Sequence, residues 1–563
     1  MKRPITAALA SAVVLAIGAL ALSGCAQPNT GSSDSSTASL PLVGWKRVAA
    51  STLQDGGTLN LAVGSSGTDE GNWNINTTQG AAVDVENLVA PLQGAPLIAT
   101  DNGGTKVDPD YAESVTLTST TPETVSVKLN PKAVWQDGSP LTAKDYQATW
   151  AALSGNNPAF NLASSAGYSQ VSSFDVTGDY SFTFTFSTPY ADWQNLLVAP
   201  ALPAAVASDP NQWNNSFVSQ PVPSSGPFIM SKLDNNAKVY TETRNPRWWG
   251  ATPRLNAITW TVIDQSSQAQ AFANNEINSV SVSDVDTYVS ALKKANSVAL
   301  RSGGVTYAQV TFNGTQAPLN DVHVRKAIAQ AIDRELISKT ANTPLGVKAV
   351  TDGNWIFMPG QNGYQDTMNA KLPYDQSAAK SQLEDGGWKN SNGAWTKDGK
   401  TLKLSITVPQ GTKSNELRAQ QIQASLKQID IPVTLNEVPS SDYFTNIQNG
   451  QYQMATFAWQ GTLFPISTAE SLFYPAGKPG GTGQNYSYIT DKRLGDLWNK
   501  ANTELNASKR LEIANDINNV IADFVPMVPI YPYPNVQVND GNLANYGPAT
   551  FASTDWTQVG FTK

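Results

Sequence analysis

Alternation of apolar and polar side chains marks the first strands. Thr58-Leu59-Asn60-Leu61-Ala62-Val63 follows a Gly56-Gly57 turn and alternates, and Thr124 to Leu129 does the same. Tyr180-Ser181-Phe182-Thr183-Phe184-Thr185-Phe186 keeps a strict period of two with one aromatic face, and the Thr177-Gly178-Asp179 turn before it predicts a hairpin with the segment around Phe174. Thr142, with Asp145 three residues on, predicts the start of a helix that carries Tyr146, Trp150 and Leu153. From about residue 257 strand and helix patterns alternate: Ile258 to Ile263, Ser266 to Asn275, Val280 to Val282 and Asp284 to Lys294. That is α/β wiring. A third part begins near Thr306, with a helix predicted from Val322 to Ser338, a strand at Leu402 to Val408 and a helix from Ser414 to Ile429. A strand at Val433 to Val438, a helix near Tyr443, two amphipathic helices over Asp491 to Asp523 and a returning strand at Val528 to Tyr531 complete the pattern. No repeat of solenoid period is present.

Length sets the scale of these elements: 563 residues make three to four domain equivalents, or one large molecule of two lobes. Asp plus Glu number 45 against 37 Lys plus Arg, so the electrostatic footprint of a nucleic-acid binder is missing. One Cys and one His remove most metal and nucleophile chemistry, because zinc, haem and Cys-His sites draw on these residues. No metal, cofactor or intrachain disulfide is expected.

The first residues read as an address. Lys2 and Arg3 precede an apolar stretch from Ala7 to Leu22, too short and Ala-rich for a permanent span, and predict a secretory signal over 1–24. It ends in Leu22-Ser23-Gly24-Cys25, which resembles a bacterial lipobox, so Cys25 is the expected lipidation site. The polar, low-complexity residues 25–52 predict a flexible tether.

Six motifs then appear in register. They are Val134-Trp135-Gln136-Asp137-Gly138-Ser139-Pro140-Leu141-Thr142-Ala143-Lys144-Asp145, Ser225-Gly226-Pro227-Phe228, Arg244-Asn245-Pro246-Arg247-Trp248-Trp249-Gly250, Phe312-Asn313, Val324 to Arg334, and Gly386-Gly387-Trp388. From about residue 56 to 535 the chain resembles the family 5 extracellular solute-binding proteins, the receptors of peptide and nickel ABC importers. The resemblance implies an α/β fold of two lobes in the manner of periplasmic binding proteins, with an extra subdomain inserted in the first. Lobe I would comprise 53–80, 223–308 and 538–563, the insertion 81–222, and lobe II 309–537. It also implies an ABC permease and ATPase as partners, a membrane held through the lipid anchor on the outer face of the cytoplasmic membrane, and a monomer. Most motif residues have structural readings: Asp137-Gly138 suits a tight turn, Trp248-Trp249 pack a lobe, and His323 is a capping or surface residue.

By position, the residues expected to line the cleft are Asn72, Trp73, Asn74, Trp355, Phe357, Trp459, Gln460, Thr462, Asn485 and Tyr486. Thr462 stands where many peptide receptors of the family carry an Asp that pairs with the ligand's α-ammonium. A hydroxyl cannot supply that charge-assisted bond, so recognition of a free N-terminus is not expected. Two functions stay open: a lipid-anchored receptor delivering oligopeptides to a permease, and a non-transport lipoprotein of the same fold that binds an envelope lipid or glycan. No catalytic residue is expected. Ser290-Ala291-Leu292-Lys293 and Ser377-Ala378-Ala379-Lys380 match S-x-x-K, but neither is followed by Lys-Thr-Gly.

Overall fold

The computed structural model describes residues 40–64, 72–282, 284–481 and 483–563. Cys25 and the signal segment lie outside them. Strand β1 (Thr58–Val63) buries Leu59, Leu61 and Val63, the face its alternation marks. Helix α1 (Val83–Val89) packs Val85, Leu88 and Val89 into the same core.

The inserted subdomain is built on an antiparallel sheet of β2 (Ala112–Thr120), β3 (Glu123–Leu129), β4 (Val171–Gly178) and β5 (Ser181–Phe186), in the order β2-β3-β5-β4. Helix α2 (Ala143–Leu153) covers it, and the Asp145 carboxylate accepts the Thr142 N–H at 2.7 Å, the cap its spacing predicts. Phe182 and Phe174 stack at 4.7 Å across the predicted hairpin. The subdomain core runs from Leu97 to Ala201, a shorter span than the predicted 81–222. Helix α1 and the segment with Trp213, Phe217 and Val222 belong to the lobe I core instead, because their apolar faces meet the lobe I sheet.

That sheet is completed by β6 (Phe228–Asp234), β7 (Val239–Arg244) and β8 (Ala257–Val262), in the order β1-β8-β7-β6, with β1 and β8 parallel. Helices α3 (Gln265–Ala273) and α4 (Val285–Ala291) flank β9 (Ser279–Ser281) and precede β10 (Ser297–Ser302).

Lobe II centres on a five-stranded sheet. Strand β11 (Thr306–Phe312) is followed by helices α5 (Val322–Ala331) and α6 (Arg334–Asn342), where one helix from Val322 to Ser338 is predicted. The break falls at Ile332, whose backbone is extended, and the Asp333 carboxylate caps the second helix by accepting the Leu336 N–H at 2.8 Å. Then come β12 (Leu404–Pro409), α7 (Lys413–Lys427), β13 (Val433–Val438), α8 (Ser440–Gln448) and β14 (Met454–Gln460). Helices α9 (Arg493–Thr503) and α10 (Ala507–Phe524) lead to β15 (Met527–Pro532), giving the order β13-β12-β14-β11-β15. Strand β16 (Asn535–Asp540) returns to lobe I between β9 and β10.

Two crossovers join the lobes, at 303–305 and 533–534, so lobe II runs from 306 to 532, a few residues inside the predicted 309–537 at one end and outside it at the other. They lie against each other: the Tyr533 N–H donates to Thr306 O at 2.8 Å, and a Cβ on Gly304 would stand 2.1 Å from the Tyr533 carbonyl. The tether predicted over 25–52 is folded from residue 40 onward. Pro41 O accepts from Gly303 N–H at 2.9 Å, Val43 bridges to Ala549, and Arg47 pairs with Asp101 at 2.6 Å. Composition did not foresee this because the partners, Gly303, Ala549 and Asp101, lie far along the chain.

Candidate ligand-binding cleft

Strand β14 places the strongest candidates. It pairs with β11 along its whole length, from Met454 opposite Phe312 to Gln460 opposite Thr306. With β12 it pairs only at Met454 and Ala455, although β12 runs on to Pro409. Thr456 O accepts the Tyr443 hydroxyl at 2.9 Å, so it points away from β11. Backbone groups alternate sides along a strand, so the N–H and C=O of Ala458 and Gln460 point the same way. They have no ladder partner there among the described residues, and both residues are exposed. The Gly461 N–H donates to Val305 O at 2.8 Å, which sets this free edge beside the crossovers, where the lobes meet.

The face of β14 opposite Ala458 carries aromatic rings. Trp459 stacks on Tyr486 with centroids 5.6 Å apart and planes at 18°, and Phe457 meets both rings edge-on. Trp459 and Tyr486 are each half-buried, leaving part of the stack in solvent. The Thr462 hydroxyl shares a hydrogen bond with Thr468 at 2.8 Å, and no carboxylate lies among these groups.

The other sequence candidates are elsewhere. Trp73 lies in the lobe I core with its ring 5.3 Å from Tyr240. Asn72 donates to Asn214 O at 2.7 Å and Asn74 to Trp213 O at 3.2 Å, so both amides fasten their own loop. Trp355 and Phe357 are packed in the lobe II core, and the Trp355 indole donates to Met527 O at 3.1 Å. Asn485 is buried and donates to Pro475 O and Ile489 O. All six side chains are buried in this structure, each within one lobe. Trp459, Gln460, Thr462 and Tyr486 are the four that keep exposed surface, Trp459 and Tyr486 together in one stack.

Two features escaped the sequence reading. Arg510 and Asp192 form a two-pronged ion pair, with Nη2 to Oδ2 at 2.7 Å, and the Ala191 N–H donates to Asn502 O at 2.8 Å. These contacts tie the inserted subdomain to lobe II; 318 residues separate the charged partners, and no local pattern announces them. Arg418 lies on the core face of α7 beside Ala419, Ile422 and Leu426, and that spacing was a readable signal of a buried charge.

Among the described residues no cluster of His, Cys, Asp and Glu could hold a metal, and no helix is long and apolar enough to cross a membrane. A cavity of about 740 Å³ on lobe II is lined by Asp321, His323, Trp388 and Lys397, but it shares no residue with the β14 edge and Lys397 is already paired with Asp321 at 2.9 Å. Ser377 lies in the first turn of a surface helix and donates its N–H to Asp375, and Lys380 of the same S-x-x-K match pairs with Asp430 at 3.9 Å.

The chain was compared with known proteins. Over 518 residues, 91% of this chain and 86% of the relative, it is 32% identical to the oligopeptide-binding protein OppA of Mycobacterium tuberculosis. It also resembles the oligopeptide-binding protein AppA of Bacillus subtilis, at 25% identity over 95% of this chain and 94% of that one. Among solved structures, a periplasmic EDTA-binding protein, EppA, superposes with a TM-score of 0.80 over 93% of this chain and 99% of its own, at 22% identity. Bacillus subtilis AppA in complex with a nonapeptide gives 0.68 over 91% and 100%, also at 22%. These structural likenesses establish the two-lobe α/β fold. The model of the bacterial extracellular solute-binding proteins, family 5, matches residues 106–481, a span that takes in the four-stranded sheet of the subdomain, both crossover-flanking strands β10 and β11, and the free edge of β14. With two lobes joined at paired crossovers and an unpaired strand edge where they meet, the chain belongs to the family 5 extracellular solute-binding proteins.

Proposed function

We propose that this protein is the substrate-binding subunit of an ABC importer and captures oligopeptides between its lobes. The observation that carries this reading is the unpaired edge of β14 at Ala458 and Gln460. An extended peptide adds to such an edge through main-chain bonds that every peptide can make, whatever its side chains. The Trp459–Tyr486 stack alongside suits apolar or aromatic ligand side chains. The oligopeptide-binding relatives from Mycobacterium and Bacillus support the same ligand class.

Closure follows from ligand contact with both lobes, because only a ligand that binds the closed form better can shift the equilibrium toward it. The closed receptor then delivers its cargo to a permease. Cys25, acylated, would hold the protein at the outer face of the cytoplasmic membrane. No step of the cycle needs a catalytic residue.

Calorimetry with one peptide, free and N-acetylated, tests the reading. With Thr462 in place of an acid, acetylation should change affinity little, whereas a large loss assigns the ammonium to another acid. Truncating a buried aromatic anchor costs about 2 kcal/mol or more, so Trp459→Ala should weaken binding roughly thirtyfold while the fold survives. Mass spectrometry that finds lipid or glycan, and no peptide, in the purified protein would overturn the peptide assignment.

A further inference from the structure

Residues 41–45 lie across the hinge. Leu42, Val43 and Trp45 are half-buried, in contrast to the polar composition of the residues before them. The Gly44 N–H donates to Pro548 O at 2.8 Å, Val43 bridges to Ala549, and Leu42 O accepts the Thr550 N–H at 2.8 Å, all in the C-terminal part of lobe I. Pro41 O then accepts the Gly303 N–H at 2.9 Å. Gly303 opens one crossover, and its own carbonyl accepts the Thr550 hydroxyl at 2.7 Å. The seat is close: a Cβ on Gly44 would stand 2.7 Å from Arg301 O, a backbone atom of β10.

Leu42 also reaches lobe II. Its Cδ2 lies 3.2 Å from the place that a Cβ on Gly360 would take. Gly360 is the third residue of the turn Met358-Pro359-Gly360-Gln361, which the Gln361 N–H closes by donating to Met358 O at 2.9 Å. With Pro second and a φ of 90° at Gly360, this is the type II form, whose third position favours Gly.

The turn supports the end of β14. Gln361 is buried; its Oε1 accepts the Met358 N–H at 3.1 Å and its Nε2 donates to Thr462 O at 3.4 Å. A Cβ on Gly461 would stand 3.2 Å from Met358 Cγ. A second route runs through the crossover that Pro41 fastens, because Val305 O accepts the Gly461 N–H at 2.8 Å. Both routes lead from residues 41–42 to residues 461–462, directly after Gln460 of the free edge.

We propose that residues 41–44 are a strap across the hinge that holds the free edge of β14 in line, and that Leu42 is a positioning residue for the ligand this edge takes. The proposal rests on the reading of that edge as the peptide site. An added strand needs the N–H and C=O groups of Ala458 and Gln460 aligned before it arrives, and a support fixed to lobe I, the crossover and the lobe II turn at once supplies that alignment in advance. Leu42 touches no ligand. It acts through Gly360 and Gln361.

The test uses the full-length protein in detergent. Leu42→Ala empties the contact on Gly360, Gly44→Ala lifts the strap from β10, and Leu42→Met refills the contact with a side chain of similar volume. The two Ala variants act on opposite sides of the strap, so either serves if the other does not fold. Hydrogen exchange of the unliganded proteins, read by mass spectrometry, should quicken in both Ala variants in the fragments that hold Gln361 and Gly461, stay unchanged in fragments of β3, and return to the natural rate in Leu42→Met. Calorimetry with pentaalanine and with a pentapeptide that has phenylalanine at its centre should show one common loss of about fivefold in Leu42→Ala, because the edge serves both through main-chain bonds. Unchanged exchange at Gln361 and Gly461 in both Ala variants overturns the strap. Faster exchange with both affinities unchanged, or a loss for one peptide alone, overturns the positioning role and leaves the peptide reading standing. If the natural protein binds neither peptide, the peptide reading fails, and exchange at the end of β14 alone decides the strap.

Discussion

The contact between Asp192 and Arg510 should set how readily the two lobes part. Asp192 is 3% exposed and Arg510 12%, both carboxylate oxygens are engaged, and the Arg510 Nε also donates to Ala501 O at 2.8 Å. Asp192 belongs to the inserted subdomain, which is fastened to lobe I by the Tyr111 hydroxyl on Ser225 O at 2.8 Å and the Gln136 N–H on Ser224 O at 2.8 Å. Opening the cleft must therefore pull the pair apart and let both ends hydrate. Removing one member of a buried pair costs about 3–5 kcal/mol, because the other charge stays behind unpaired. Asp192→Asn keeps the shape and one hydrogen bond, so the lower figure applies, and about 3 kcal/mol corresponds to roughly 150-fold. The loss falls on the closed form alone, since in the open form each side chain is solvated. Where the unliganded protein is mostly open, the apparent Kd of every ligand rises by the same factor. Calorimetry with two chemically different peptides, together with small-angle scattering with and without peptide, measures both consequences: two equal losses of affinity, and less compaction at a peptide concentration that closes the natural protein. Asp192→Asn combined with Arg510→Met should recover part of the loss by removing the stranded charge. Unchanged affinities and scattering for Asp192→Asn would refute the argument and mean that the subdomain travels with lobe II.

Other outcomes follow from single contacts. Cys25→Ala should move the protein from the membrane fraction to the soluble one, and unchanged fractionation removes the anchor. Burial raises the Glu242 carboxyl well above its ordinary value of 4.5, against the pull of the Trp260 indole, so the folded form keeps a proton that the unfolded chain releases. Its contribution is complete below that value and is lost as pH rises toward the raised one, and Glu242→Gln should flatten the fall in denaturant midpoint between pH 5 and 8. Asp352, raised by burial to about 8, and Glu123, raised by burial to about 7, act in the same direction and leave a residual slope in that variant. Gly304→Ala would press a methyl group on the Tyr533 carbonyl, and a backbone atom cannot swing away; a loss of roughly 1–3 kcal/mol in chemical unfolding is expected, and a neutral result would show that the crossovers separate freely.

Local order was legible because it is governed by short-range sterics and by which face of an element is apolar. The period of two at Thr58–Val63, the hairpin of Ser181–Phe186 and the capping pair Thr142 and Asp145 appear as their residues predict, and the six motifs in register carried the family. The choice among candidate site residues was not legible. Trp73, Trp355 and Trp459 each sit beside polar residues in the chain, yet two are core and one is half-exposed. Beside Trp459 the ladder between β12 and β14 stops at Ala455, which leaves Ala458 and Gln460 without a neighbour on that side. The Asp192–Arg510 pair likewise depends on two residues 318 positions apart. Propensity and periodicity act over a few residues, whereas an unpaired edge and a contact between lobes are properties of how distant segments pack, and only the tertiary structure decides them.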